Sequence, residues 1–248
     1  MKTIFIIIFI SICSNIAYSF TQAENDLLIA VEKSDIMSVR NLLNTKDINI
    51  DVKDRYGVTP LMHAIFNKDI YILELLLKNN ANPNIQNDSG KTALIYACIN
   101  CDFDIIQMLI LYKADVNITD NYKSTALIYA SSRNIDIIKL LVDSGADIDA
   151  QNLDGKTALM YNILYRADAN MINTFISLRA DINIQDIHGY TALMYSSILD
   201  YRNLVKILIK NGADINKRNN HNKTALTMAE ENKNYKMADI LIKNGAVR

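Results

Sequence analysis

Three groups of residues in this chain have types and spacings that could do chemistry. Cys98-Ile99-Asn100-Cys101 is a C-x-x-C pair, the arrangement used for dithiol redox work or for half of a metal site. Redox use normally needs the pair at a helix start, where a thiolate is stabilised. Here it falls at the end of an apolar helical stretch, so packing or an adventitious disulfide is the expectation, and redox or metal function the less favoured alternative. His63, His188 and His221 have no i,i+4 partner and no carboxylate set at metal spacing; they read as satisfied or solvent-facing side chains. Asp154-Gly155-Lys156-Thr157 lacks the upstream glycines of a phosphate-binding loop, and no Ser or Cys stands in a pattern with a histidine base. The expectation is no enzyme, no cofactor and no bound metal.

The elements that carry these residues repeat. Thr59-Pro60-Leu61-Met62-His63-Ala64, Thr92-Ala93-Leu94-Ile95-Tyr96-Ala97 and Thr125-Ala126-Leu127-Ile128-Tyr129-Ala130 are near copies, as are the segments opening at Thr157, Thr191 and Thr224. The threonines lie 33, 33, 32, 34 and 33 residues apart, the period of a repeat array. Five residues before each stands Asp54, Asn87, Asp120, Asn152, Asp186 or Asn219, a turn former. Two before stands Gly57, Gly90, Gly155 or Gly189, replaced by Lys123 and Asn222 in two units; a left-handed backbone there suits glycine, with Asn the cheaper substitute. The Thr hydroxyl is placed to cap a first helix, with Pro60 at its first position in one unit. A second amphipathic helix follows, as in Ile70 to Leu77 and Leu204 to Ile209. It ends at Asn80, Gly145, Gly212 or Gly245, or at Lys113 and Arg179, which suit a left-handed cap less well. The missing residue after Thr125 and the extra one after Thr157 are assigned to the helix–helix turns, making 123–180 the least regular stretch. Tyr96, Tyr129, Tyr161 and Tyr195 form a ladder at one register position, read as packing between repeats.

Residues 1–19 differ from the rest. Lys2, the apolar run Ile4 to Ile12, and small residues at Ala17 and Ser19 are the parts of a secretory signal peptide cleaved after Ser19. An uncleaved N-terminal anchor is the alternative. Export, to a periplasm or out of the cell, is therefore the expectation, with membrane attachment only if the segment stays. A formal charge of −1 offers no electrostatic reason for nucleic acid as a partner. Residues 20–53 carry two short helical patterns without the Thr-Ala-Leu signature and read as an N-terminal capping unit; 54–248 hold six repeats.

This grammar resembles the ankyrin repeat: turn, Gly, Thr-Pro-Leu-His, two helices, Gly-Ala-Asp-Val-Asn. The resemblance covers residues 24 to 248. It implies a mainly α solenoid of stacked αα-hairpins with β-hairpin loops, about seven units with the cap, and curved with its loops on the concave side. The family's usual His, three after the Thr, is Met62, Ile95, Ile128, Met160, Met194 or Thr227 here, so packing is expected to replace the hydrogen bonds that His supplies. The resemblance further implies a protein partner held along the loops and the first-helix ends, which include Ser132 and Arg133. The candidate contacts are Tyr56, Phe66, Tyr122, Leu164, Tyr165, His188, Tyr190 and Leu199, apolar or aromatic groups expected to be exposed. A protein-interaction scaffold is the expected function, with a membrane-retained structural protein as the alternative.

Overall fold

The computed structural model describes residues 21–45, 47–100 and 102–247. The expected signal segment and Cys101, half of the C-x-x-C pair, lie outside these residues. Fourteen helices among the described residues follow in pairs: α1 (Gln22–Glu32) and α2 (Ile36–Leu43), α3 (Pro60–Phe66) and α4 (Ile70–Lys78), α5 (Ala93–Asn100) and α6 (Phe103–Leu111), α7 (Ala126–Ala130) and α8 (Ile135–Asp143), α9 (Ala158–Tyr165) and α10 (Ala169–Ser177), α11 (Ala192–Ile198) and α12 (Arg202–Lys210), α13 (Ala225–Glu231) and α14 (Tyr235–Lys243). Two to four residues separate the members of a pair, enough only to fold the second helix back along the first. The chain divides into two compact units, Met1–Ala93 and Leu94–Arg248.

Side-chain caps start the helices. Thr59 Oγ1 accepts the Met62 N–H at 3.4 Å, and Thr125, Thr157, Thr191 and Thr224 do the same for the residue three further on, each threonine buried. Asp35, Asp69, Asp102, Asn134, Asp168 and Asn234 cap second helices. α1 begins with a signal the sequence carries in plain view, Thr21 and Glu24 capping each other. At the far ends Lys113 and Arg179 do adopt the left-handed conformation, each at φ 67°. The Ala114 and Ala180 amides bond back to Leu109 O at 2.9 Å and Phe175 O at 3.0 Å, and that closure holds the unfavourable residue in place.

Within the first unit α1 packs on α3 and α2 on α4; within the second, α7, α9, α11 and α13 pack in succession, as do α10, α12 and α14. The leucines two after the threonines (Leu61, Leu127, Leu159, Leu193, Leu226) are buried in these contacts, each worth about 1.5–3 kcal/mol of apolar burial. A polar ladder runs beside this core. Asp51 Oδ1 accepts the Asn82 N–H at 2.9 Å in the first unit. In the second, Asn117, Asp149, Asn183 and Asn216 accept from residues 147, 181, 214 and 247 at 2.7–2.9 Å. The asparagines also donate to the Gly145, Gly212 and Gly245 carbonyls, a second link that an aspartate has no N–H to make.

The loops before the first helices are closed turns; no strand occurs among the described residues. Asp54 shows the plan: its amide donates to Val58 O at 2.9 Å, and its Oδ1 accepts from the Tyr56 and Val58 amides. Adjacent loops are linked by single bonds, Asp88 N to Tyr56 O in the first unit, and Leu153 N to Tyr122 O, Ile187 N to Asp154 O and Asn220 N to His188 O in the second. Gly155 combines φ +72° with a position where a Cβ would meet Ile187 N at 2.7 Å.

The length changes do not fall in the helix–helix turns as expected. α7 has five residues where the other Thr-led helices have seven or eight, and four residues follow before α8. The extra residue after Thr157 is absorbed into α9, which has eight. A shortened helix exposes carbonyls at its end. The next repeat satisfies them: Asn162 Nδ2 donates to Ser131 O at 2.9 Å and Arg166 Nη1 to Ser132 O at 3.0 Å.

Candidate functional site

In four repeats the residue four after the threonine, at the start of the first helix, meets the turn residue five before that threonine. His63 Nε2 lies 3.2 Å from Asp54 Oδ2. The Tyr129 hydroxyl donates to Asp120 Oδ2 at 2.6 Å, and Tyr195 donates to Asp186 Oδ2. In the repeat between these two the polarity reverses. Asn152 Oδ1 accepts the Asp154 and Lys156 amides, so its Nδ2 faces outward and donates to the Tyr161 oxygen at 2.9 Å. These bonds correct one expectation, since packing alone does not replace the family's histidine bonds, and they show that Tyr129, Tyr161 and Tyr195 of the ladder hydrogen-bond within their own repeats. The sequence signal was an acceptor or amide nine residues before a Tyr or His.

Burial first, then the bond to Asp120, pushes the Tyr129 hydroxyl well above the ordinary phenol range, and Tyr195 is raised in the same way by burial and Asp186. Tyr161 is raised by burial and its neighbours, against the opposing effect of the Asn152 bond. In the last repeat the corresponding residue is Met228. Asn219 Oδ1 accepts the His221 and Lys223 amides, and its buried Nδ2 has no partner.

Each unit has a cavity on the loop and first-helix side. In the first unit, about 520 Å³ lies between Asn25, Leu28, Ile29 and Glu32 of α1 and Arg55, Tyr56, His63 and Phe66 of the next repeat. Phe66 meets His63 edge-on at 5.9 Å, and the Arg55 guanidinium lies over Tyr56 at 4.8 Å. In the second unit, about 280 Å³ opens where α7 stops short, lined by Tyr122, Ser124, Tyr129, Ser131, Ser132, Arg133, Asn152, Leu153, Asp154 and Tyr161 among others.

The expected contact residues divide by exposure and place. Tyr56 and Phe66 are exposed and share the first cavity. Tyr122, 63% exposed, lines the second, and Tyr165, 73% exposed, stacks on Tyr161 at 5.5 Å. His188 and Leu199 are exposed. Leu164 and Tyr190 are half-buried against expectation, Tyr190 because it stacks on Tyr195 at 5.4 Å. Leu164, Tyr165, His188, Tyr190 and Leu199 line neither cavity. Sequence reasoning missed Asn162 and Arg166. Asn162 was legible, since its register position is Ala64, Ala97, Ala130, Ser196 or Ala229 elsewhere. Cys98 is buried. No group of three or more possible metal ligands, and no helix long and apolar enough to cross a membrane, occurs among the described residues.

A family model described as ankyrin repeats (3 copies) matches residues 15–87, 68–152, 103–186 and 159–247. Among solved structures, the ankyrin repeat domain of Bcl-3, described as a unique member of the IkappaB protein family, matches with a TM-score of 0.79 and 27% identity. That match covers 88% of this chain and 97% of the other.

Proposed function

The chain belongs to the ankyrin-repeat family, and on that premise we propose that it is an exported scaffold that holds a protein partner along its loops and first helices. The observation that carries this reading is the placement of exposed aromatics at the cavities: Tyr56 and Phe66 in the first unit and Tyr122 in the second, with Tyr165 stacked on the lining Tyr161. Rigid aromatic groups beside a concavity supply contact area at low entropic cost, the usual make-up of an interface anchor. The fixed loop turns beneath them limit the ordering needed on binding. Export rests on residues 1–19, with cleavage after Ser19 giving a mature N-terminus at Phe20.

Pull-down from the source organism with the wild-type chain, followed by mass spectrometry, identifies the partner. Tyr122→Ala with Tyr165→Ala should then abolish its capture while leaving the thermal melt nearly unchanged. Undiminished capture by the double variant sinks the binding surface. The N-terminal mass of protein recovered from the medium or envelope tests export, and an intact Met1 in an intracellular pool counts against it.

A further inference from the structure

Resting on that reading of the loop and first-helix side, we propose that the cavity beside the shortened α7 receives a carboxylate side chain from an acidic segment of the partner. The uncommitted hydrogen-bonding capacity among the groups that face this cavity is mostly that of donors; the buried Asn162 Oδ1, behind Ser131, is an acceptor without a partner. Arg133 lines the cavity, is exposed, and takes part in no ion pair among the described residues. Arg166 stands beside it, one N–H on the Ser132 carbonyl and its remaining donors in no ion pair among the described residues. Tyr161 accepts from Asn152, an amide whose orientation is set by two backbone bonds, so its own hydroxyl proton is available.

The two carboxylates nearby each have partners. Asp120 takes the Tyr122 and Ser124 amides on one oxygen and the Tyr129 hydroxyl on the other, and Asp154 pairs with Lys156 at 3.3 Å. A cation would meet tyrosine faces but also two guanidinium groups that are in no ion pair among the described residues. A carboxylate meets planar donor forks that match its geometry. The same two aspartates disfavour a dianion, which selects a carboxylate over a phosphoryl group. A space of about 280 Å³ suits one side chain, while Tyr122, Ile128 and Leu153 offer apolar wall to its neighbours. The cavity opens where α7 stops short, and the residues that follow that helix, Ser131, Ser132 and Arg133, line it.

The test uses the full chain and fluorescein-labelled hexapeptides of alternating Phe and Glu, Phe and Gln, or Phe and phosphoserine, read by fluorescence anisotropy at low salt. The Glu peptide should bind roughly tenfold more tightly than the Gln peptide, and Arg133→Gln and Arg166→Gln should each weaken it by about fivefold. Glutamine at 166 retains a donor for the Ser132 carbonyl, so the melt should hold. Equal binding of the Glu and Gln peptides, tighter binding of the phosphoserine peptide, or unchanged affinity in both variants overturns the proposal. Capture of the natural partner separates the two readings. Loss in the Tyr122 and Tyr165 variant with retention in both arginine variants leaves the scaffold and removes the carboxylate site. Glu-peptide binding that follows the arginines, with partner capture indifferent to the tyrosines, does the reverse.

Discussion

The repeats that open at Thr125 and Thr224 depart from the common plan in opposite ways. The first has lost main-chain length, and the carbonyls exposed at the end of α7 are met by Asn162 and Arg166 of the repeat that follows. The second has kept its length but lost a polar side chain, because Met228 stands where a Tyr or His elsewhere meets the turn residue. No neighbour supplies a replacement, and Asn219 Nδ2 stays unpartnered. Both also lack the glycine of the turn, with Lys123 at φ 56° and Asn222 at φ 60°. A defect at the helix end faces the next repeat and can be repaired from it. A defect between a helix and its own loop is closed off within one repeat, so only a substitution there can mend it.

The largest expected effect tests whether the apolar layer is indifferent to both departures. Leu127→Ala and Leu226→Ala should each cost about 2–5 kcal/mol and lower the urea midpoint by similar amounts. A much smaller cost for Leu226 would place the last repeat outside the cooperative core. Next, Asn162→Ala should cost about 1–3 kcal/mol by leaving the Ser131 carbonyl unpaired, and should speed amide exchange in α7 and the turn after it. Unchanged exchange there would mean that the cross-repeat repair contributes nothing. Lys123→Gly should stabilise by about 1 kcal/mol through relief of the left-handed backbone, and Asn222→Gly by clearly less, since Asn tolerates that conformation; equal gains would show that the two turns are strained alike. Met228→Tyr should raise stability by about 0.5–1.5 kcal/mol by giving Asn219 its partner. A double-mutant cycle with Asn219→Ala checks that the gain comes from that bond and not from added apolar area.

The smallest effect is in alkaline solution. Tyr129 and Tyr195 have folded-state pKa values raised above the unfolded value near 10.0. Above that pH the unfolded chain releases protons that the folded chain retains, so their contribution, fully present below it, declines as pH rises toward the folded values. The melting temperature should fall above pH 10, and less steeply in Tyr129→Phe with Tyr195→Phe. The last repeat, without such a tyrosine, should show no extra alkaline loss of amide protection before the rest.

Much of the scaffold was legible from local chemistry. Thr59 and its counterparts had to cap helices because the hydroxyl and the amide it serves are three residues apart, and Gly155 or Gly189 marked turns because only their backbones enter the left-handed region at little cost. The exposed Tyr56, Tyr122 and Tyr165 followed from register. Leu164 and Tyr190 did not, because half-burial depends on which neighbour folds over a side chain, and Tyr195 covers one of them.

By itself the sequence determined the period, the helix starts, the turn positions and the leucines that the stack buries, since each depends on bonds or spacings within a few residues. Only the tertiary structure decided that the residue four after the threonine bonds to the turn nine residues back, and that the lost residue shortens a helix instead of a loop. It alone placed Arg133, Arg166 and Tyr161 beside one cavity. The first depends on how a loop folds over its own helix, and the others on how one repeat's surface meets the next. There a side chain some thirty residues on supplies a carbonyl's partner, and local spacing carries no record of that meeting.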